Sequence, residues 1–182
     1  MKITVTDFEG LIIIEPEVFT DSRGYFMETY SERKLEPTIN SILFVQDNEA
    51  KSVYGVIRGL HYQLSPKAQC KLVRCTYGEI LDVVIDLRPD SDQFGKVFSI
   101  VLSAENKKQL FIPKGFAHGY SVISPEAVLC YKCDDYYSVE HEKGILFDDP
   151  ELAIDWQIPL PDRLISAKDK NWPIFEHHYK FI

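Results

Sequence analysis

The sequence lacks a basic excess: Lys and Arg number 20 against 28 Asp and Glu, a formal net charge of −8. A general nucleic-acid binder needs a cationic face to neutralise phosphates, so that class is excluded, although a few local Arg and Lys can still line a pocket for a small anion. Long apolar runs are missing too. The opening MKITVTDFEGLIIIEP holds one early lysine and the apolar run Leu11–Ile14, too short for a signal-peptide core, and no later stretch approaches a membrane span. A cytoplasmic protein without a membrane partner is expected. Cysteine is sparse, at Cys70, Cys75, Cys130 and Cys133, and in a reducing compartment such thiols rarely pair. The CYKC at 130–133 invites a zinc or redox reading, but the β-prone run EAVLCYKC points Cys130 and Cys133 to opposite sheet faces. No Gly-rich phosphate loop supports nucleotide hydrolysis or dinucleotide binding. Internal repeats, low-complexity segments and sustained helical periodicity are absent as well.

What is present is β-structure. With 182 residues, 45% of them hydrophobic and 13% aromatic, the chain suits one globular domain over 1–182 with extended N-terminal strands and a C-terminal tail. Strands are predicted at Lys2–Thr6, Gly10–Ile14, Gly24–Tyr30, Leu43–Asp47, Val53–Gln63, Cys70–Thr76, Glu79–Leu87, Lys96–Ser103, Gln109–Ile112, Gly119–Ile123 and Ala127–Cys133, separated by Gly, Pro and Asp turns. One or two helical turns at Ser31–Leu35 end before Pro37. Many short strands at this spacing mean an all-β sandwich or barrel, with only short peripheral helices.

Two stretches carry chemistry. Gly55–Gln63, GVIRGLHYQ, sets a cation, Arg58, and a titratable base, His61, on one strand, separated by Gly59, which can bend the strand and let a ligand approach the backbone. The second, Pro113–His118, reads P-x-G-x-x-H and resembles the second motif of the cupin superfamily, a double-stranded β-helix or jelly-roll barrel. The first resembles the other cupin motif in its opening. A metal-binding cupin places a second histidine two residues after the first and a glutamate shortly beyond, where this sequence has Gln63 and then Pro66, Lys67 and Ala68. His61 and His118 alone fall short of a catalytic metal's protein ligands.

The chain resembles the dTDP-4-dehydrorhamnose 3,5-epimerase family in an ordered series of stretches: Phe19–Glu28, Gln46–Asn48, Gly55–Gln63, Lys71–Arg74, Asp82–Arg88, Ile112–Gly119, Glu142–Ile145 and Ser166–Asp169. The resemblance implies a homodimeric cupin epimerase that uses no metal and no cofactor. It implies action at C3 and C5 of a dTDP-4-dehydro-6-deoxy sugar, giving dTDP-4-dehydro-L-rhamnose. Alternatives of the same kind are an epimerase acting at C3 or C5 only and a 3,4-ketoisomerase. Alternatives of other classes are a non-catalytic cupin that binds a nucleotide sugar and, further off, a metal-dependent cupin isomerase or oxygenase.

Epimerisation beside a ketone needs a base, a partner for the enolate oxygen, and an acid on the opposite face. His61 suits the base, since an imidazole with a reference pKa near 6.5 is largely unprotonated at neutral pH. The resemblance makes Asp169 its orienter, Lys71 the oxyanion partner and Tyr131 the acid. Without it, Asp169 reads as a turn-capping residue, Lys71 as a solvent-facing lysine and Tyr131 as a core tyrosine. Strand alternation groups Lys71 with Val73 and Cys75, away from Leu72 and Arg74. Asp82 and Asp86 share a face of the apolar run ILDVVID, and the family matches Asp82 to a partner of His118, in a supporting role equally open to an ordinary buried hydrogen bond. Arg23, Arg58 and Lys168 match diphosphate contacts, where guanidinium groups suit phosphate oxygens. Phe26 and Tyr137 match aromatic positions around the thymine. Glu28, Gln46, Asn48 and Glu142 match polar nucleotide or sugar contacts, although both glutamates also read as surface acids. Family members pair through their N-terminal strands, so Arg23 to Glu28 are expected to complete a partner's pocket.

Overall fold

Period-two patterning sorts the side chains of strand β7, Lys71–Tyr77, to two destinations. In the computed structural model, which describes residues 1–39 and 42–181, Val73 and Cys75 point into a core between two sheets, and Leu72 packs outward with Ile12, Ile14 and Phe111. The other strands are β1 (Lys2–Val5), β2 (Ile12–Glu15), β3 (Val18–Asp21), β4 (Gly24–Met27), β5 (Gln46–Val53), β6 (Val56–Gln63), β8 (Glu79–Asp86), β9 (Val97–Ser103), β10 (Gln109–Ile112), β11 (Phe116–Val122), β12 (Glu126–Cys133), β13 (Glu142–Gly144) and β14 (Leu164–Ile165). One helix, α1 (Glu32–Ile39), and three short 3-10 turns complete the described structure.

The first sheet runs β1-β2-β10-β7-β12-β5 and the second β13-β6-β11-β8-β9, with β14 alongside β6; β3 and β4 form a separate hairpin. The two larger sheets face each other as a cupin jelly roll. Between them lies a core that includes Leu11, Val84, Leu102, Phe116, Tyr120 and Leu129. The outer face of the first sheet is covered by α1 through Leu35 and Ile39. That of the second is covered by the C-terminal segment, where Trp156 is fully buried beside Leu60, Val83 and Ile145. A strand buried on both faces loses its alternation, which is why ILDVVID reads as one apolar run. No helix among the described residues is long and apolar enough to cross a membrane.

Several boundaries differ from the sequence expectation. The helix passes through Pro37 to Ile39, because burial of Leu35 and Ile39 outweighs the hydrogen bond that Pro37 cannot donate. The strand expected at Leu43–Asp47 is instead β5, whose sequence QDNEAKSV is too polar for a hydrophobic pattern to reveal. The strand expected at Val53–Gln63 is broken at Gly55, whose φ of +84° turns the chain between β5 and β6. β11 begins at Phe116, three residues before Gly119. β3 was not anticipated: its four residues are all exposed, so nothing in their pattern reports a buried face.

One irregularity positions the site. On β6 and β11, His61 pairs with His118, but Arg58 pairs with Tyr120. Gly59 and Leu60 together therefore oppose Gly119, a β-bulge that puts one extra residue on β6. Gly59 has φ +139°, and a Cβ there would lie 2.6 Å from the Cα of Gly119. The close approach that Gly59 permits is thus made by a neighbouring strand, and the glycine is needed on both sides, because a Cβ on Gly119 would lie 2.8 Å from the Arg58 carbonyl oxygen. Gly59→Ala is expected to destabilise the fold by about 1–3 kcal/mol through overpacking plus backbone strain, read as a lower urea midpoint at unchanged m-value. An unchanged midpoint would show that the two strands can separate freely.

Candidate active site

The bulge decides which side chains of β6 meet. Strict alternation would send Arg58 and His61, three residues apart, to opposite faces; the extra residue brings both to line one cavity of about 490 Å³ with Ser166, Lys168 and Asp169. The C-terminal partners arrive by parallel pairing of β14 with β6, Leu164 beside Val56 and Ile165 beside Ile57, which lays the following residues along Arg58–His61. Asp169 then starts the 3-10 turn Asp169–Asn171, its N–H donating to Ser166 Oγ at 3.0 Å.

His61 Nε2 lies 2.5 Å from Asp169 Oδ1. Burial pushes the Asp169 carboxyl up, but the hydrogen bond and charge of His61, with Ser166 and the Gly59 N–H, outweigh it and leave Asp169 below the ordinary carboxylate value. An ionised carboxylate only accepts, so Nε2 donates, and the neutral ring keeps its lone pair on Nδ1. No side-chain or backbone group among the described residues hydrogen-bonds that Nδ1. Asp169 thus holds the His61 ring by a hydrogen bond and is not a free turn cap.

His61 also faces a second cavity of about 260 Å³, lined by Gln46, Asn48, Lys71, Tyr131, Cys133, Tyr137 and Glu142 among others. This mouth opens between the edge strands of the two sheets, β5 on one side and β13 with β6 on the other. Lys71 and Cys133 are paired across β7 and β12, two residues from Tyr131, so Lys71 and Tyr131 project from the sheet opposite His61. Burial pushes the Lys71 ammonium below its ordinary value, against the opposing pull of Cys133, Asp82 and Glu142. Burial also raises the Tyr131 phenol, with Cys133 and Tyr120 adding to it and Arg58 opposing; it keeps its proton at neutral pH.

The polar rim is a connected network. Gln46 Nε2 donates to Asn48 Oδ1 at 2.9 Å, and Gln46 Oε1 accepts the Tyr137 N–H at 3.0 Å. Glu142 takes the Tyr137 hydroxyl on one oxygen, at 2.8 Å, and the Lys168 ammonium on the other, at 2.7 Å. Its side chain is only 13% exposed, so it is not a solvated surface acid. Arg58 Nε donates to Ser52 Oγ at 3.2 Å, leaving the rest of its guanidinium toward the cavity.

His118 sits deeper. Its Nε2 is 2.9 Å from Asp82 Oδ2, with both side chains buried, and it lines a small void behind Lys71 instead of the His61 cavity. Asp82 Oδ1 is buried and has no hydrogen-bond partner among the described residues. Arg23, Phe26 and Glu28 are not brought to the cavity within one chain: Arg23 pairs with Asp21 at 2.6 Å on the exposed β3–β4 hairpin, Phe26 is 69% exposed, and Glu28 pairs with Lys34 at 2.8 Å.

Sequence reasoning missed three contributors. Gln63, noted only for not being a histidine, donates to the Lys67 and Tyr136 carbonyls and accepts the Ser138 N–H, fastening the segment that carries Tyr137. Cys133 lines the mouth beside Lys71, while Cys130 faces away toward Glu49. Trp172 packs edge-on to His61, ring centroids 6.3 Å apart. Its sequence signal was proximity to Ser166–Asp169.

The sign of the Asp169 effect gives a stability prediction. Its folded pKa is lowered, so its contribution is present above the ordinary carboxyl value, about 4, and is lost as pH falls through the lower folded value. The stability gap between wild type and Asp169→Asn should therefore narrow on acidification below about pH 4, followed by urea unfolding. A gap constant down to pH 2 would contradict the ionised assignment.

A sequence profile of the dTDP-4-dehydrorhamnose 3,5-epimerase family matches residues 5–177. A curated epimerase of that name from Methanothermobacter thermautotrophicus is 51% identical over 168 residues, covering 92% of this chain and 90% of its own. The crystal structure of the Elizabethkingia anophelis dTDP-4-dehydrorhamnose 3,5-epimerase superposes with TM-score 0.94 at 50% identity, covering 98% of this chain and 99% of that one. A 3,5-epimerase from Legionella pneumophila, solved with dTDP-4-keto-L-rhamnose, gives TM-score 0.92 at 44% identity over 97% of this chain and 93% of its own. With a profile match over nearly the whole length and relatives at half identity, this chain belongs to the dTDP-4-dehydrorhamnose 3,5-epimerase family.

Proposed function

We propose that this protein epimerises C3 and C5 of dTDP-4-dehydro-6-deoxy-D-glucose to give dTDP-4-dehydro-L-rhamnose. The observation that carries the reading is the placement of His61, with its Asp169 partner, on one sheet and of Lys71 and Tyr131 on the other, around one cavity. A sugar ring held between the sheets presents opposite faces to the two walls. His61 Nδ1 removes the proton next to the C4 ketone, Asp169 steadies the imidazolium that forms, and the Lys71 ammonium balances charge growing on the ketone oxygen. Tyr131 returns a proton from the other side. C3 and C5 flank the same ketone, so one lysine serves both enolates.

Arg58 and Lys168 take the diphosphate side; the polar rim of Gln46, Asn48, Tyr137 and Glu142 takes the nucleoside. His118 and Asp82 act behind Lys71 in support. The whole chain works as one catalytic unit in a homodimer, each β3–β4 hairpin bringing Arg23, Phe26 and Glu28 to its partner's cavity. The exposure of that hairpin and the absence of Arg23, Phe26 and Glu28 from the lining of their own chain's cavity support this. The four free thiols support the reducing cytoplasm as its place of work.

The test of the chemistry is turnover in D2O with the product trapped by a stereospecific 4-ketoreductase and read by NMR. Deuterium is expected at both C3 and C5, and none with His61→Asn, which should still bind dTDP. Label at one carbon would make this a monofunctional epimerase, a carbonyl at C3 a ketoisomerase, and binding without any label a non-catalytic cupin.

The dimer is tested by mixing two inactive variants. After subunit exchange, His61→Asn and Arg23→Ala protomers should regain roughly a quarter of wild-type turnover, because one site in each mixed dimer has both residues intact. No recovery would place Arg23 in its own chain's site or outside the mechanism.

A further inference from the structure

Among the described residues, His61 has one hydrogen bond holding its ring, through Nε2 to Asp169, and an imidazole fixed at one nitrogen alone can still tilt about that bond. The second restraint is a contact. Trp172 caps the C-terminal end of the turn that begins with Asp169, and its indole meets the His61 ring at 68° with centroids 6.3 Å apart. The same indole covers Gly144, the β13 residue paired with His61. A Cβ on Gly144 would lie 2.5 Å from Cδ2, Cε2 and Nε1 of Trp172, so the glycine is what lets the ring reach the base. The Lys168 ammonium lies 5.9 Å from the indole while donating to Glu142. The neighbouring backbone is pinned to β13's continuation, Leu146 N–H donating to the Pro173 carbonyl at 2.8 Å.

We infer that Trp172 is a positioning residue: seated on Gly144, it fixes the tilt of the His61 ring against Asp169 and so the aim of Nδ1 at the substrate carbon. This rests on the proposed reading of His61 as the base. The buried indole N–H has no hydrogen-bond partner among the described residues, so the ring acts through shape. An aromatic replacement therefore keeps the function, and an added methyl on Gly144 disturbs it.

The experiment compares Trp172→Ala, Trp172→Phe, Gly144→Ala and the Trp172→Ala/Gly144→Ala double variant, with His61→Asn in parallel. Turnover is followed by deuterium incorporation, affinity for dTDP by calorimetry, and kcat/KM against pH. Trp172→Ala should lose about 10- to 100-fold in kcat, as expected for a misaimed base, move the acid limb of the pH profile, and keep dTDP affinity within about threefold. Trp172→Phe should recover most of kcat. Gly144→Ala should reproduce the loss, and the double variant should be no worse than Trp172→Ala, because without the indole the methyl has nothing to displace.

Wild-type kcat and pH profile in folded Trp172→Ala, with His61→Asn inactive, would overturn the positioning role alone. A loss that dTDP affinity shares in proportion would also overturn it, as would additive losses in the double variant. If Trp172→Ala does not fold, Trp172→Phe and Gly144→Ala decide, and native kinetics in Gly144→Ala refutes the inference. Full turnover in His61→Asn would overturn both the base and its positioning residue.

Discussion

The contact between Gly59 and Gly119 sets the geometry on which the site depends. Two backbones cannot come this close if either carries a Cβ, and without that approach β6 could not hold its extra residue against β11. The bulge has two separate effects. It turns Arg58 onto the side that His61 occupies, so a guanidinium and an imidazole share one cavity. It also presents the Gly59 N–H to the Asp169 carboxylate, linking the residue that bends the strand to the group hydrogen-bonded to His61. The local strain and the function are in the same place, as expected where a regular ladder has to be broken to aim a side chain.

Charge at the site runs against the protein's acidic balance, and the structure handles this by pairing rather than by excess. Glu142 is saturated by Tyr137 and Lys168, and Asp169 by His61, Ser166 and Gly59. Asp82 is different: one oxygen holds His118, the other has no hydrogen-bond partner among the described residues, and the Lys71 ammonium is a nearby opposite charge. A buried carboxylate near a buried ammonium gains attraction but loses hydration, so such a pair contributes little to net stability. Its benefit is placement. In the proposed mechanism, the pull of Asp82 opposes the burial that lowers the Lys71 pKa, and a dry site strengthens the interaction of the ammonium with a developing oxyanion.

The sequence made the β-class, the P-x-G-x-x-H motif and the coexistence of Arg58 with His61 legible, because each is written in local pattern. The inward face of Lys71 was also readable, since Val73 and Cys75 mark it two and four residues on. What local pattern could not supply is whatever depends on meeting across the chain; the pairs His61–Asp169 and Asp82–His118 came from the family resemblance alone. His61 and Asp169 are 108 residues apart, and nothing near Ser166–Asp169 announces that a two-residue parallel strand will carry it to β6. Polar edge strands such as β5 and the exposed ribbon β3–β4 have no buried face to leave a hydrophobic signature. Gln63 was visible only as a missing ligand, because its role is to hold backbone groups of a distant loop. Trp172 was overlooked for a similar reason: its partner is a glycine, which has no side chain to suggest a contact.

The division of labour between barrel and hairpin follows from rigidity. The groups proposed to move protons or balance charge, His61, Lys71 and Tyr131, all stand on strands built into the two main sheets, where packing on both sides limits displacement. Those groups must hold position to a fraction of an ångström. The β3–β4 hairpin is a two-stranded ribbon, a form that is marginal by itself, and it is steadied by Lys107, whose ammonium lies 4.2 Å from the Tyr25 ring and donates to its hydroxyl at 3.1 Å. It exposes Phe19, Tyr25 and Phe26 together, the kind of clustered apolar surface that suits the proposed partner contact. Contacts to a nucleotide tolerate looser placement than proton transfer does, so a segment that gains its order from a second chain can supply binding residues while the chemistry stays on the barrel.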